Sequence, residues 1–238
     1  MIPDLFLQRH SNQSERIAWL FEALAVDCRI VFINPLFRRP LEQATGQPEL
    51  PALQTEDRLY VGMESILRWL SGRPNYVSLC PTEVIAHVTL EALLYYAESR
   101  LSPLTQKIHY RFLLEDAKEF DDCFLSPIPS VFRGMVRFLA KTYLRRQFGS
   151  MPFDQEKEAR ELGYAMKFLS GFLEGRDYCF ENRLTLADIT LCSYLYPLLY
   201  QKRFTQDSNE ELLTWVINVY KKHRHASIYQ PLWHPVAG

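Results

Sequence analysis

The chain of 238 residues has no excess of charge of either sign, since 27 lysines and arginines face 28 aspartates and glutamates. A protein that holds a nucleic-acid backbone needs a basic surface, and neither the first 75 residues nor the rest of the chain supplies one. The hydrophobic fraction of 47% and the charged fraction of 23% are those of a folded protein rather than a disordered one. We therefore expect no nucleic-acid partner.

Long apolar runs are missing as well. The most apolar stretch, residues 191–200, is far shorter than the ~20 residues that a membrane-spanning helix needs, and Pro197 interrupts it. The first residues lack the basic segment followed by an apolar segment that marks a secretory signal. We expect no membrane partner.

Cysteines are few, and they form no C-x-x-C pair and no Cys/His cluster at zinc spacing. The five are Cys28, Cys80, Cys123, Cys179 and Cys192. An odd, dispersed set is typical of reduced thiols in a cytosolic compartment. The sequence predicts a cytoplasmic protein without a bound metal.

Two kinds of hydrophobic pattern divide the chain. Up to about residue 75, short apolar runs alternate with helical repeats in the order β-α-β-α-β-β-α. Beyond Pro81 the strand signals vanish and helical periodicity takes over. We expect strands near 5–7, 28–33, 49–53 and 58–61, and later helices near 82–116, 128–148, 155–174, 185–200 and 209–224. The pattern predicts a small α/β domain over 1–75 and an all-helical domain over 82–238, with a linker near Asn75–Cys80.

One helix start carries a specific local signal. Thr185 is followed three residues later by Asp188, the spacing of a capping box in which hydroxyl and carboxylate satisfy the helix amides reciprocally. The flanking Leu184 and Ile189 occupy the positions of a hydrophobic staple. The sequence predicts a helix that begins after Thr185.

Four motifs, in this order and spacing, together resemble those of the cytosolic glutathione transferase superfamily. They are Ser11–Ile17, similar to S-P-x-S-x-[RK]-V; Glu49–Leu53, similar to V-P-x-L; the strand-to-helix segment Tyr60–Leu70; and Phe180–Ile189, similar to G-x-x-x-[TS]-x-A-D. The resemblance covers nearly the whole chain. It implies a thioredoxin-like α/β N-terminal domain, an all-α C-terminal domain, glutathione as co-substrate, and a homodimer.

The resemblance also assigns the thiol end of a glutathione site. Ser11 corresponds to the catalytic serine, whose hydroxyl stabilises the glutathione thiolate at a helix N-terminus. Ser11 could equally serve only as a helix cap, and Ser14 is the weaker catalytic candidate. Pro51 corresponds to the family's cis proline, and the backbone of Leu50 would pair with the cysteinyl part of glutathione.

The other end of the expected site departs from the family pattern. Relatives carry an acidic residue and a hydroxyl residue where this chain has Gly62 and Met63, so only the backbone amide remains for the γ-glutamyl carboxylate. Glu64 and Ser65 lie two positions out of register. Arg38 and Arg39 occupy the place where relatives often hold the glycine carboxylate of glutathione. The proline that usually follows the catalytic serine is Asn12 here.

Three functions stay open on this basis. The resemblance favours a glutathione transferase acting on a small apolar electrophile, and Ser11, Arg16 and Pro51 favour this enzyme. Gly62 and Met63 favour a non-catalytic protein of the same fold that serves in binding or interaction. A glutathione-dependent reductase or lyase is the third, because a fold does not determine a chemistry.

Overall fold

The computed structural model of the chain describes residues 2–34, 38–47, 49–125, 128–149, 155–200 and 210–225. Its first region contains four strands and three helices in the predicted order. They are β1 (Asp4–Gln8), α1 (Asn12–Ala23), β2 (Arg29–Ile33), α2 (Arg39–Thr45), β3 (Ala52–Gln54), β4 (Leu59–Val61) and α3 (Gly62–Ser71). A short 3-10 turn, Tyr76–Leu79, follows.

The strands form one mixed sheet in the order β2-β1-β3-β4. β1 is parallel to β2 and antiparallel to β3, and β4 is antiparallel to β3. The third strand is shorter than expected, since pairing begins only at Ala52. Pro51 has no backbone N–H to donate to a neighbouring strand, which explains why the ladder does not reach further back.

The second region consists of helices joined by turns and loops in the described residues. Its helices are α4 (Val84–Tyr96), α5 (Ser102–Glu115), α6 (Ala117–Phe120), α7 (Ser130–Gly149), α8 (Gln155–Leu173), α9 (Leu186–Leu195) and α10 (Glu210–His223). Among the described residues no strand occurs after residue 61. The thioredoxin-like and all-α architecture is thus confirmed. The exact domain limits stay a prediction, and residues 226–238 of the expected helical domain lie outside the described residues.

The single helix expected over 82–116 is interrupted by a wide π-helical turn, Ala97–Leu101. Pro103 lies in the first turn of α5. A proline inside a helix lacks the N–H that would bond the preceding turn, and the wider turn accommodates this loss. The interruption leaves α4 and α5 as separate segments of one helical path.

The main hydrophobic core runs through both regions. α1 packs its buried Trp19 and Leu20 against helices of the second region, including the fully buried Leu191 of α9. All ten residues of α9 are buried, so this helix is the centre of the helical region. The capping box that starts it is present, and the Asp188 carboxylate also accepts a hydrogen bond from Cys179 N–H at 2.7 Å. This part of the sequence prediction is confirmed.

Three helices present large apolar side chains to solvent. On α4 these are Val84, Ile85, Val88 and Tyr95, on α7 they include Val131, Met135 and Phe138, and on α8 they are Tyr164 and Phe168. Exposed apolar area of this extent is uncommon on a protein that stays monomeric. The α4 face lies beside α8, since the rings of Tyr96 and Phe168 meet edge to face at 5.3 Å.

Candidate functional site

The sheet register brings the segments of the expected glutathione site to a single edge. The last residues of β1 and β2, Gln8 and Ile33, are paired there. Ala52, the first residue of β3, pairs with Val61, the last residue of β4, at the same edge. Because Ser11 follows β1, Leu50 precedes β3 and Gly62 follows β4 at these ends, their segments leave the sheet on one side.

Ser11 is the N-cap of α1 and is half-buried. Its Oγ accepts a hydrogen bond from the Ser14 N–H at 3.3 Å, and its carbonyl accepts one from the Glu15 N–H at 3.0 Å. Because the hydroxyl acts as an acceptor in the cap, its own proton remains to be donated. The cap and a hydrogen bond to a thiolate are therefore compatible, and the two interpretations of Ser11 do not exclude each other.

Ser14, the weaker candidate, is buried within α1. Its Oγ accepts a hydrogen bond from the Gln8 N–H at 3.1 Å, which closes the loop between β1 and α1. This contact gives the Ser14 hydroxyl a structural role in the turn beneath Ser11.

The Leu50–Pro51 peptide bond is cis, as expected. The Pro51 carbonyl accepts a hydrogen bond from the Gly62 N–H at 2.8 Å and so joins the start of β3 to the start of α3. Leu50 is half-buried against a small cluster that includes Leu41 of α2. Within the described part of the chain, the backbone N–H and C=O of Leu50 form no hydrogen bond with another residue.

Gly62 and Met63 begin α3, and neither side chain carries a hydroxyl. Met63 packs its side chain against the main core. The Ser65 hydroxyl donates to the backbone carbonyls of Val61 and Gly62, within its own helix. Glu64 pairs with Arg68 at 2.7 Å on the exposed side. The first turn of α3 therefore offers backbone amides, which have no partner inside a helix, and no hydroxyl.

Gly62 also has a backbone conformation that most residues avoid, with φ at +78°. A side chain at this position would be strained whatever space surrounds it. The acidic residue that relatives carry here cannot be restored by substitution without that cost.

Arg38 and Arg39 lie at the start of α2. Arg38 is the N-cap and is half-buried, whereas Arg39 is exposed. Residues 35–37, which lead into them, lie outside the described residues. The position of these arginines relative to the other site residues therefore stays a prediction.

Sequence reasoning missed the residues that hold Ser11 in place. Gln106 of α5 donates from Nε2 to the His10 carbonyl at 2.8 Å and accepts at Oε1 from the Asn12 N–H at 2.9 Å. One carboxamide therefore spans Ser11 and bonds the residue on each side of it. In the sequence, Asn12 stands out only because the family motif has a proline at its position. Gln106 is remote in sequence, so no local signal could have identified this pair.

The side chain of Asn12 strengthens the same junction. Its Nδ2 donates to the Ser102 carbonyl at 3.0 Å and to the Thr105 hydroxyl at 3.2 Å, and all three residues are buried. The Ser102 hydroxyl donates back to Asn12 Oδ1 at 3.3 Å. A proline could make none of these side-chain bonds, so this departure from the family motif has a structural consequence.

Two buried histidines lie next to Ser11: His10 precedes it in the chain, and His109 packs against His10. The rings of His10 and His109 stack with their centroids 5.6 Å apart. Burial lowers the pKa of His109 to about 3. Burial, followed by the neighbouring His109 and Arg9, holds the pKa of His10 well below its usual value. Both rings are therefore neutral at physiological pH and add no positive charge beside Ser11.

Charged residues of α1 are used inside the fold. Arg16 forms a buried ion pair with Glu98, and Tyr194 donates to the same carboxylate at 2.7 Å. Glu15, also buried, accepts from the Arg224 guanidinium at 2.9 Å. These pairs tie α1 to the helical region, so Arg16 supports the fold and does not line the site.

Aromatic residues of α4, α5, α7 and α8 have different environments. A cavity of about 720 Å³ lies between α4, α5 and α8, and Tyr96 and Phe168 line it. On the same helices, Tyr110 is buried in the core and Phe112 is half-buried, whereas Tyr95, Phe132 and Phe138 are exposed. None of the expected glutathione residues lines this cavity.

Within the described ranges, no group of three or more histidine, cysteine or acidic residues is placed to hold a metal ion. Among the same residues, no helix has the length and apolar character needed to cross a bilayer. The thiols of Cys28, Cys80, Cys179 and Cys192 are free, while the Cys123 side chain lies outside the described part.

No protein-family model matches the chain, and no match was found among curated proteins. Solved structures do match. A possible glutathione S-transferase from Rhodopseudomonas palustris is 17% identical with a TM-score of 0.66, over 99% of this chain and 100% of that one. The chain has the fold of the glutathione transferases.

Two further structures agree with this result. The beta-etherase LigF from Sphingobium sp. strain SYK-6 is 16% identical with a TM-score of 0.67, over 92% of this chain and 95% of that one. A glutathione S-transferase from Methylobacillus flagellatus with glutathione bound is 14% identical with a TM-score of 0.63, over 95% and 96% of the two chains. At these identities the likeness extends to the fold and not to the reaction.

Proposed function

We propose that the chain binds glutathione at the shared sheet edge, stabilises its thiolate with Ser11 and transfers it to a small apolar electrophile. The observation that carries this proposal is the convergence of the Ser11, Leu50–Pro51 and Gly62–Met63 segments on one edge. Proteins of this fold hold glutathione, such as the one from Methylobacillus flagellatus. No metal takes part in the proposed reaction.

The thiol end supplies the chemistry. The cysteinyl backbone of glutathione pairs with the N–H and C=O of Leu50 as an added strand would. This pairing places the sulfur beside the hydroxyl of Ser11, which donates a hydrogen bond to the thiolate and so lowers the thiol pKa. The thiol proton leaves to water. The thiolate then attacks the electrophilic carbon, the new C–S bond forms, and the leaving group departs with the bonding electrons.

The glutamyl end holds the tripeptide less firmly. Its carboxylate meets the backbone amides at the start of α3, while Met63 offers no hydroxyl. A hydrogen bond to a charged group contributes about 1.5–3 kcal/mol, so we expect glutathione to bind more weakly than at a site with that hydroxyl. Arg38 or Arg39 holds the glycine carboxylate.

A second candidate function is a non-catalytic binding or interaction protein of the same fold. The half-buried packing of Met63 against the core favours it, because the Met63 side chain offers no hydroxyl to the glutamyl carboxylate. A reductase or lyase using the same thiolate is a third candidate, and the likeness to a beta-etherase supports keeping it.

We also propose a cytoplasmic homodimer. The exposed apolar residues of α4, with Tyr164 and Phe168 of α8, form a surface that a second copy would cover. The free thiols of the described cysteines agree with a reducing compartment.

Thermal unfolding in the presence of reduced glutathione tests the proposal, together with a chromogenic conjugation assay. A ligand at about 100 times its Kd adds ~2.7 kcal/mol of stability, so the unfolding midpoint should rise with glutathione concentration. Ser11→Ala should retain this rise but lose most of the conjugation rate. If the midpoint does not respond to glutathione, the enzyme and its reductase or lyase variants are all wrong.

A further inference from the structure

The Gln106 carboxamide connects the second region of the fold to both residues that flank Ser11. Its donor bonds the His10 carbonyl at 2.8 Å, and its acceptor bonds the Asn12 N–H at 2.9 Å. These two bonds leave the side chain of Ser11 on the outside of the junction. The backbone on each side of Ser11 is thus fixed by one side chain from α5.

The loop needs such support, because His10 is in the left-handed backbone region with φ at +62°. Non-glycine residues adopt that conformation at a cost, and it persists only where the surroundings hold it. Here the surroundings are the Gln106 bond to the His10 carbonyl and the stacked ring of His109. A relaxed His10 would rotate the peptide that leads into Ser11.

The direction of the Ser11 hydroxyl depends on this backbone. Its Oγ accepts from the Ser14 N–H at 3.3 Å, so its position in the cap sets where its free proton points. A donor stabilises a thiolate only when it is aimed at the sulfur, and misplacement by about 1 Å can cost up to 10²-fold in rate.

We propose that Gln106 is a positioning residue that acts through Ser11, holding the serine hydroxyl in the direction required to stabilise the glutathione thiolate. This inference rests on the proposed function. It makes catalysis depend on contact between the two regions, because the positioning side chain comes from α5 and the serine from the loop after β1.

A double-mutant cycle on the full chain tests this inference with Gln106→Met, Ser11→Ala and the double variant. Gln106→Met keeps the side-chain length but removes both hydrogen bonds. It should lower kcat about ten-fold, as expected for a misaimed donor, leave KM for glutathione nearly unchanged, and raise the pKa of the bound thiol seen by thiolate absorbance. In the Ser11→Ala background it should lower kcat no further, because the two residues act as one unit.

Thr105→Val is the matched control, since Thr105 lies one residue before Gln106 and its hydroxyl bonds the Asn12 side chain and the Ser102 carbonyl rather than the backbone beside Ser11. It should lower the unfolding midpoint and reduce kcat far less than Gln106→Met does, because both backbone hydrogen bonds of Gln106 remain. If Gln106→Met does not fold, Gln106→Glu keeps the acceptor for Asn12 and should show a smaller loss of kcat in the same direction.

The outcomes separate the two hypotheses. Full kcat in Gln106→Met, or effects that multiply in the double variant, overturns the positioning role while the transferase function stands. A wild-type chain that is inactive with glutathione overturns both.

Discussion

The two ends of the proposed glutathione site differ in how the fold uses their polar groups. At the thiol end, the Ser11 hydroxyl accepts one hydrogen bond in its cap and keeps its proton, and we propose that the backbone of Leu50 pairs with the cysteinyl part of glutathione. At the glutamyl end, the Ser65 hydroxyl is bonded within its own helix and Met63 is packed into the core.

This difference separates reactivity from affinity. The groups that stabilise a thiolate act in the chemical step, whereas those that hold the glutamyl carboxylate act mainly on ground-state binding. A chain with an intact thiol end and a reduced glutamyl end is expected to bind glutathione weakly and still activate it. The comparison also shows why a departure from a family motif should be judged position by position.

Asp188→Ala should lower the stability of the whole fold without acting on either end of the site directly. Of the changes considered, it should give the largest loss of stability. The fully buried carboxylate accepts from the Cys179 and Thr185 N–H groups, each at 2.7 Å. Leaving both donors buried without an acceptor should lower the free energy of unfolding by about 2–4 kcal/mol. Urea unfolding measures this change.

Glu64→Ala removes an exposed carboxylate instead and serves as the control. Its free energy of unfolding should stay close to that of the wild type. An unchanged value in Asp188→Ala would contradict the buried hydrogen bonds. Activity per folded molecule should be unchanged in Asp188→Ala, because Asp188 lies in the first turn of α9 and not among the residues proposed to bind glutathione.

Acid should act on the thiol end, because His10 and His109 are buried there as neutral rings. The pKa of His109 is lowered to about 3 in the folded state, against an ordinary value of about 6.5. The unfolded chain therefore binds more protons below about pH 6.5, and stability falls as the pH falls. His109 should contribute a loss of about 1.4 kcal/mol per pH unit below that value, and His10, whose pKa is also lowered by burial, should act in the same direction.

Urea unfolding at about pH 7 and pH 5.5 checks this dependence. His109→Phe should show a smaller loss of stability on acidification than the wild type. His87→Gln replaces an exposed histidine on α4 and should behave like the wild type. Equal losses in all three proteins would show that the buried pair does not drive the acid sensitivity.

Sequence patterns predicted the order of elements and the start of α9, because each depends on local chemistry, and the Thr185–Asp188 spacing is readable without knowledge of the fold. The cis bond before Pro51 followed from the family resemblance. The convergence of the site segments followed from the family resemblance, and the sheet register supplies its geometric basis.

The support of Ser11 could not be predicted in the same way. Asn12 and Gln106 meet only because α5 packs beside the start of α1, and no spacing within either segment encodes that contact. The Ser65 hydroxyl likewise has several possible hydrogen-bond partners, and only the folded structure shows that it bonds the backbone of its own helix. Side-chain partners distant in sequence are therefore where the prediction stopped.

The most direct test of the difference between the two ends is calorimetric titration with glutathione and with N-acetylcysteinylglycine, which lacks the glutamyl group. In the wild type the two Kd values should differ by less than about ten-fold, since the glutamyl end contributes little. Met63→Ser should tighten glutathione alone by roughly ten- to a hundred-fold, the equivalent of one hydrogen bond to a charged group. A wild type that already prefers glutathione by more than about a hundred-fold, or a Met63→Ser variant that weakens its binding, would contradict this account.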